Sequence, residues 1–282
     1  LQYRDLDTFI RPDYQDRLDV KHVKRFQETR LKRDEQKKLA NFIKDCGFKS
    51  MCTPFDEKSV DVIKEDKFDI IKVASCSCGD WSLLEKIVTT KLPIIASTGG
   101  ASLDIIDRII NFFNNRGKDF VIQHCVGEYP TPLERMNIHQ IDFLKNRYPD
   151  IRFGFSTHEH PDDNDIIKMA VAKGAISFER HVGIPTPEWP LNLYSSNLNQ
   201  IRQWLIAARI AIKASGKAGE RYTPSNNELE ALRSLQRGVF ATKLLEKGQI
   251  LKGSDFFLAF PPDPNQLTGD KLSKYHEIKL KN

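Results

Sequence analysis

Two histidines, His158 and His181, each follow a short and largely apolar run. The runs read Arg152-Phe-Gly-Phe-Ser-Thr-His158 and Ala175-Ile-Ser-Phe-Glu-Arg-His181, and one helix-length segment separates them. If they are successive strands of a parallel sheet, both imidazoles lie at the edge where α/β enzymes place their chemistry. Two imidazoles there, with water and substrate oxygens, suit an octahedral Mn²⁺ or a similar ion. A single histidine at a strand end is more often structural, so the pair needs support from its neighbours.

That support comes from polar residues that follow the other apolar runs at comparable points. Their hydroxyl groups, with the backbone amides near Gly99-Gly100, can bind a phosphate or a carboxylate. Lys72 lies inside an apolar run, where a lysine is costly unless an anion pairs with it. Glu179 or Glu128 can orient water or act as an acid or base. The hydroxyl residues are Thr53, Ser75, Ser97 and Ser156.

Short apolar runs alternate with amphipathic segments through most of the chain. This pattern predicts a parallel sheet with right-handed crossovers. Six βα units are visible, and Leu1-Gln2 is the stub of another strand, so both an eight-stranded barrel and a doubly wound sheet remain open. The predicted strands are Phe48–Cys52, Ile70–Ala74, Leu92–Ala96, Phe120–Gln123, Ile151–Phe155 and Ala175–Phe178. The predicted helices are Arg33–Asp45, Ser82–Lys91, Ser102–Asn115, Pro132–Arg147, Asp163–Lys173 and Asn199–Ala214.

The chain divides into a catalytic domain and a smaller C-terminal module. We assign residues 1–214 to the former and 229–282 to the latter. Residues 215–228 are rich in Gly, Ser, Pro and Asn and predict a linker. A hairpin-like pattern over residues 237–257 gives the module its β character.

Composition excludes several classes of protein. The net charge of +5 is spread over 282 residues without a concentrated basic face, which argues against nucleic-acid binding. No apolar run approaches the roughly 20 residues that span a bilayer. Five cysteines, an odd number, fit no disulfide framework, so we expect a reducing, cytoplasmic setting.

Several motifs together resemble those of the N-acetylneuraminate (sialic acid) synthase family, which includes spore-coat polysaccharide synthase-like proteins. The resemblance covers nearly the whole chain, with the motifs in the family's order. The matching stretches are Thr53-Pro-Phe-Asp-Glu-Lys-Ser-Val-Asp61, Ile71-Lys-Val-Ala-Ser75, Ser97-Thr-Gly99, His124-Cys-Val-Gly-Glu-Tyr-Pro-Thr-Pro132, Gly154-Phe-Ser156 with His158, and Gly174-Ala-Ile-Ser-Phe-Glu-Arg-His181.

The resemblance implies a (β/α)₈ TIM-type barrel followed by a small antifreeze-like domain. It implies metal-dependent condensation of phosphoenolpyruvate with an N-acetylated hexose, with release of phosphate. The metal, Mn²⁺ or Mg²⁺, would be held by His158 and His181. It further implies a domain-swapped homodimer. Phosphoenolpyruvate contacts would come from Thr53, Lys72, Ser75, Ser97 and Ser156, with Glu128 and Tyr129 beside them.

The sequence departs from the family pattern near the acceptor sugar. The family's Ser-Asp-His is here Ser156-Thr157-His158, and its Gly-Pro-Asp motif is replaced by Thr186-Pro-Glu-Trp-Pro-Leu-Asn192. Glu188 or Asn192 are candidate substitutes for that Asp. The family's C-terminal Arg is not evident in Ala259-Phe-Pro-Pro-Asp-Pro-Asn265. The family's first strand, with an acidic residue, and a phosphate-binding lysine would precede Leu1.

These observations favour a synthase that makes a sialic-acid-type nonulosonate for surface polysaccharide. Two other hypotheses remain open. One is a sugar- or phosphate-binding homologue that has lost catalysis, and the other is a different metal-dependent barrel aldolase. His160, which precedes Pro161-Asp162-Asp163, is predicted to lie on the surface.

Overall fold

A computed structural model describes residues 1–272 and Lys279. The chain forms two compact units, Leu1–Ala218 and Gly219–Asn282. No helix in the described part of the chain is long and apolar enough to cross a membrane.

The first unit is an α/β fold built on a curled, fully parallel sheet of seven strands. The strands follow one another across the sheet in chain order, from β1 at one edge to β7 at the other. This sequential order is that of a TIM-like barrel, whereas a doubly wound sheet reverses its strand order near the middle. The strands are β1 Gln2–Tyr3, β2 Met51–Pro54, β3 Ile70–Val73, β4 Ile94–Ser97, β5 Phe120–Cys125, β6 Arg152–Thr157 and β7 Phe178–Arg180.

Nine helices are described in this unit, and the crossover helices cover the outer face of the sheet. Side-chain caps fix several helix starts: Asp56, Asp80 and Ser102 each accept a hydrogen bond from the backbone of the first turn. The helices are α1 Leu6–Phe9, α2 Lys21–Glu28, α3 Arg33–Asp45, α4 Glu57–Glu65, α5 Trp81–Val88, α6 Leu103–Asn114, α7 His139–Arg147, α8 Asp165–Ala172 and α9 Leu198–Ser215.

The main core lies between the sheet and these helices. Strand residues such as Ile71, Ile94 and Ile122 are fully buried against helix residues such as Leu84 and Ile109. Burial of this apolar surface stabilises the sheet at roughly 25 cal/mol per Å², and it leaves the opposite face of the strands free for polar side chains.

The structure qualifies two of the predicted helices. Helix α3 has the predicted bounds, but its apolar residue Phe42 is 64% exposed, and the helix buries Gln36 and Ala40. Helical periodicity identifies an apolar stripe but does not say what covers it. The helix predicted from Pro132 begins only at His139, after Asn137, which adopts a positive φ of 49°.

The second unit contains helix α10, Asn226–Ser234, and a two-stranded antiparallel sheet. Strand β8, Gly238–Ala241, pairs with β9, Phe256–Ala259. The second strand therefore begins near the end of the predicted hairpin-like pattern over residues 237–257 and extends two residues beyond it. Helix α10 begins within the segment predicted as a linker, because Ser225 caps it by accepting from the Glu228 amide.

Candidate functional site

The carboxyl ends of the strands bring the predicted polar residues onto one face of the sheet. Partners in a parallel ladder point to the same side, so the pairing of Ser97 with Gln123 aligns these two side chains. In the same way, Ser156 aligns with Glu179 at the junction of β6 and β7. These four side chains share the face opposite the helices, as the register predicts for a common site.

Lys72 contacts several of the residues on this face. Its side chain is buried, with only 5% of its surface exposed, and its Nζ donates to Ser97 Oγ at 2.6 Å and to the Val73 carbonyl at 3.1 Å. The same Nζ lies 3.2 Å from Glu179 Oε2. A buried ammonium group requires such partners, and here Glu179 supplies the carboxylate.

A chain of hydrogen bonds extends from Lys72 through strands β4 and β5 to Ser177, the residue before β7. Ser97 Oγ donates to Gln123 Oε1 at 3.1 Å, and Gln123 Nε2 donates to Ser177 Oγ at 3.1 Å. Sequence reasoning missed Gln123 and Ser177 as members of the site. The signal available for Gln123 was the one used for Lys72, a polar residue within an apolar strand.

Gly99 and Ser75 form the second part of the site. The Gly99 amide donates to Ser75 Oγ at 3.0 Å. A Cβ at Gly99 would lie 2.9 Å from that oxygen and 3.2 Å from Cys125 Sγ, so the close approach of these groups needs glycine. Burial raises the pKa of the Cys125 thiol, which leaves it a neutral group beside Ser75 and Ser156. Thr53 is also buried here, at the end of β2.

His158 and His181 lie side by side beyond β6 and β7. Their ring centroids are 5.2 Å apart, with the planes inclined at 43°. His158 Nδ1 is hydrogen-bonded to the Val126 carbonyl at 3.0 Å, so this nitrogen carries the proton and Nε2 keeps its lone pair. His160 is exposed, as predicted, and lies outside the pair.

Both histidines are held in the neutral form. Burial, with a smaller contribution from the neighbouring His181, lowers the pKa of His158 to about 4. Burial likewise lowers the pKa of His181. A neutral imidazole is the form that binds a metal ion, because its free nitrogen keeps the lone pair.

The donor set of this pair fits a cation that accepts two imidazoles and several oxygens. Two neutral rings at 5.2 Å, one with its second nitrogen fixed by a backbone carbonyl, match the usual orientation of histidine ligands. Among residues 1–272 and Lys279, no group of three or more His, Cys, Asp or Glu side chains is arranged to hold a metal ion. The two imidazoles therefore leave the remaining coordination positions of a bound cation to water and substrate oxygens, unlike a closed four-residue zinc site.

Glu128 and Tyr129 are placed differently from each other. The Glu128 carboxylate accepts from Arg135 Nη1 at 2.9 Å, and this ion pair is largely exposed. The Tyr129 ring lies 4.3 Å from the His158 ring, between centroids, and partial burial raises the pKa of its hydroxyl group. The structure thus brings Tyr129 to the histidines, whereas it directs the Glu128 carboxylate to Arg135.

A segment after β7 completes the surroundings of the histidines. Tyr194 packs edge-on against His181 at 5.1 Å and against His158 at 6.0 Å, between ring centroids. The Ser196 amide donates to the His181 carbonyl at 2.9 Å, which fixes this segment beside the strand. Sequence reasoning missed Tyr194, because an isolated aromatic residue in a polar loop gives no signal of its own.

A cationic group at the end of β1 was also missed. The Arg4 guanidinium lies over the Phe55 ring at 3.5 Å and over the Phe26 ring at 4.1 Å, distances that favour a cation–π contact. Burial lowers its pKa to about 10, still well above neutral pH. Because Tyr3 pairs with Pro54, Arg4 lies level with Phe55 at the carboxyl edge of the sheet.

The chain is similar to known proteins. It superposes with a TM-score of 0.94 on the crystal structure of a protein from Chromobacterium violaceum ATCC 12472, provisionally called spore coat polysaccharide biosynthesis protein E. The two are 46% identical, and the match covers 100% of this chain and 86% of that one.

Curated relatives are more distant. The uncharacterised protein MJ1065 of Methanocaldococcus jannaschii is 28% identical over 80% of this chain and 66% of its own length. The N,N'-diacetyllegionaminic acid synthase of Campylobacter jejuni is 28% identical over 82% of this chain and 69% of its own length. This chain thus spans about two thirds of the length of these relatives. The model of the NeuB family matches residues 2–219.

Proposed function

The chain belongs to the NeuB family, and from that premise we propose that it is a nonulosonate synthase which condenses phosphoenolpyruvate with an N-acetylated hexose. In this reaction C3 of phosphoenolpyruvate bonds to the aldehyde carbon of the acceptor, water adds at C2 and phosphate leaves. The observation that carries the proposal is the buried Lys72 ammonium, surrounded by hydroxyl groups, on the face that leads to two neutral histidines.

Lys72 and its neighbours are proposed to bind the anionic groups of phosphoenolpyruvate. The ammonium group is already desolvated and is held by its hydrogen bond to Ser97 Oγ, and the Gly99 amide holds the Ser75 hydroxyl group by donating to its oxygen. Donors arranged in advance bind an anion without the cost of reorganising them. Thr53, Ser75 and Ser156 supply further hydroxyl groups at the same edge.

His158 and His181 are proposed to hold a divalent cation, Mn²⁺ or Mg²⁺. When bound, the cation supplies Lewis acidity toward the aldehyde oxygen of the acceptor, which makes the aldehyde carbon more electrophilic. The protein's own contribution is to keep both imidazoles neutral and to orient His158 through the Val126 carbonyl. Tyr194 and Tyr129 pack on the rings and shield them from water.

Glu179 is proposed to handle the proton of the attacking water. Its carboxylate lies 3.2 Å from Lys72 Nζ and is about one third exposed, so it is within reach of both the anion and solvent. A carboxylate held in this way can accept a proton from water as it adds at C2. Tyr129 is a second candidate for proton transfer, through its hydroxyl group.

The acceptor is proposed to be an N-acetylated hexose similar to N-acetylmannosamine. The C. jejuni relative is a synthase of a diacetylated sugar acid by name, which supports an amino-sugar acceptor. Residues 186–192, which depart from the family pattern, lie where the resemblance places the acceptor, and we therefore expect a preference for an acceptor other than N-acetylmannosamine itself. Thr157, the other departure, pairs with Arg180 and points to the opposite face of β6.

Larger features of the family complete the proposal. We propose that the seven-stranded sheet is part of a (β/α)₈ barrel, that residues 229–282 form an antifreeze-like domain, and that the protein acts as a domain-swapped homodimer in the cytoplasm. The dimer is tested by light scattering coupled to size-exclusion chromatography, where a monomer at micromolar concentration would contradict it.

The reaction is tested by incubating the protein with phosphoenolpyruvate, Mn²⁺ and a panel of N-acetylated hexoses, and by measuring inorganic phosphate. We expect phosphate release that requires both an acceptor and the metal. The product should carry the carbon atoms of both substrates, which mass spectrometry detects.

Two other outcomes correspond to the competing hypotheses. Thermal stabilisation by phosphoenolpyruvate without phosphate release from any acceptor would indicate a binding protein that has lost catalysis. Cleavage of a sugar acid without release of phosphate would indicate a different barrel aldolase.

A further inference from the structure

Glu159 and Arg180 form an ion pair directly behind the two histidines. Arg180 Nη1 lies 2.5 Å from Glu159 Oε1, and the two side chains are 1% and 0% exposed. Glu159 follows His158 in the chain, and Arg180 precedes His181. The pair therefore joins the two segments that carry the histidines, at the residues immediately next to them.

Further hydrogen bonds tie Arg180 to the backbone after β6 and to the side chain of Ser196, in the segment that holds His181. Its Nη2 donates to the Glu159 carbonyl at 3.3 Å, and its Nε donates to Ser196 Oγ at 3.0 Å. The Ser196 amide in turn donates to the carbonyl of His181 at 2.9 Å. One guanidinium group thus links the end of β6, the end of β7 and the segment that holds His181.

Strand alternation places this network on the face opposite the histidines. Thr157 is the ladder partner of Arg180, whereas Ser156 is the partner of Glu179, so Arg180 and Glu179 point to opposite faces of β7. Lys72 contacts Glu179, on the face that carries the other candidate substrate-binding groups. The pair accordingly lies on the face of the strands opposite the proposed substrate pocket, and its hydrogen bonds reach the histidines through the backbone.

Stability alone is a weak reason for such a pair. Removing two charges from water offsets most of their attraction, and well-packed apolar residues of similar size often stabilise a fold equally well. What apolar residues do not supply is direction: a guanidinium fork fixes the geometry of the groups that it binds.

We propose that Glu159 and Arg180 are positioning residues that set the distance and orientation of His158 and His181 for a divalent cation. The inference rests on the metal site proposed above. Groups that orient metal ligands from behind typically change metal affinity by about 10- to 100-fold when they are lost. We expect an effect of this size although neither side chain touches the cation.

The test separates positioning from stability with single and double variants. The singles are Glu159→Gln and Arg180→Met, and the double variant Glu159→Leu/Arg180→Met replaces the pair with apolar groups. Mn²⁺ affinity is measured by titration with detection of free Mn²⁺ by electron paramagnetic resonance, and Tm is measured on the same samples. We expect both singles to lose Tm and at least about tenfold in affinity, and the double variant to regain Tm but not affinity.

Asp66→Asn is the matched control. Asp66 is a buried carboxylate that pairs with Arg33 between helices α3 and α4, away from the histidines. We expect this variant to lower Tm without changing Mn²⁺ affinity. Loss of affinity in the control, or full recovery of affinity in the double variant, would show that the pair is merely structural.

A second measurement does not depend on the cation. In the metal-free protein, imidazole ¹H–¹⁵N correlations report the Nδ1–H of His158 and its hydrogen bond to the Val126 carbonyl. We expect these signals to shift or broaden in the double variant, and unchanged spectra would overturn the inference. If the wild-type protein binds no Mn²⁺ while the spectra do change, the proposed metal site fails but the positioning of the histidines by the pair stands.

Discussion

Lys72 and Glu179 form an ion pair of 3.2 Å across the inner face of the sheet, although their strands β3 and β7 are separated by three others. Neighbouring strands lie about 4.8 Å apart, so a flat sheet would hold these strands far beyond the reach of the two side chains. The contact therefore requires the sheet to curl, and the curl brings the candidate phosphate-binding group to the strand that leads to His181.

Replacing this lysine with an apolar residue of similar length should abolish anion binding. Lys72→Met removes the ammonium group and leaves Glu179 without its cation. A charge-assisted hydrogen bond contributes about 1.5–3 kcal/mol, so we expect phosphoenolpyruvate affinity to fall by at least about tenfold. Calorimetric titration with phosphoenolpyruvate measures this directly.

Lys118→Met is the control for that experiment. Lys118 also donates to a backbone carbonyl, that of Thr90 at 2.7 Å. It lies just before β5, at the amino ends of the strands, whereas the candidate site lies at their carboxyl ends. Equal losses of affinity in the two variants would contradict the assignment of Lys72 to the anion site.

The close approach of β6 and β7 depends on Gly154. A Cβ at this position would lie 2.5 Å from the carbonyl oxygen of Ser177, a backbone atom that cannot move independently. We expect Gly154→Ala to destabilise the protein by about 1–3 kcal/mol, as overpacking typically does, and to disturb Gln123, whose Cγ lies 3.1 Å away from the same position. Urea denaturation measures the change in the free energy of unfolding.

Gly79→Ala provides the comparison, because a Cβ there would meet no atom within 4 Å and the residue has no positive φ. We expect the free energy of unfolding to change little in this variant. A Gly154→Ala protein as stable as Gly79→Ala would show that the two strands can separate without cost.

Most of the sheet was predictable from the sequence because buried parallel strands appear there as short apolar runs. Lys72, Ser97 and Ser156 were found for the same reason: a polar side chain at the end of an apolar strand is unusual enough to attract attention. The order of the strands was not predictable from these runs, since both a barrel and a doubly wound sheet read as alternating β and α segments.

The partners of the site residues were harder to predict than the residues themselves. Glu159 and Arg180 each stand beside a histidine, yet their contact depends on two segments that meet only in the folded chain. Arg4 follows a two-residue strand whose brevity hides the edge to which it belongs. Short strands and long-range pairs leave little signal in local periodicity.

Acid should destabilise the protein through its buried histidines. Burial lowers the pKa of His124, whose Nε2 is hydrogen-bonded to the Met136 carbonyl at 2.9 Å, and it lowers the pKa of His158 and His181 in the same direction. In the unfolded chain these rings protonate as the pH falls below about 6.5. In the folded protein they protonate only at lower pH, because burial disfavours the charged imidazolium. Stability is therefore fully present above that pH and is lost as the pH falls toward the lowered pKa values.

The contribution of His124 can be isolated with His124→Gln, which keeps a donor for the Met136 carbonyl. We expect Tm to fall less between pH 7.5 and pH 5.5 in this variant than in the wild-type protein. Burial raises the pKa of Glu159, which works in the opposite direction, but both proteins contain this residue and the comparison removes its effect. An identical pH dependence would mean that His124 is protonated without cost in the fold.

The proposed metal site includes His158 but excludes His160, which lies only two residues further along the chain. Neutral His158 and His181 lie 5.2 Å apart, ring to ring, whereas His160 is exposed beside Asp162. We expect Mn²⁺ to raise the Tm of the wild-type protein and of His160→Ala, because a ligand that binds only the folded state stabilises it. His158→Ala and His181→Ala should lose this shift while they keep the fold, as judged by circular dichroism. An undiminished Mn²⁺ shift in His181→Ala, or its loss in His160→Ala, would place the cation elsewhere.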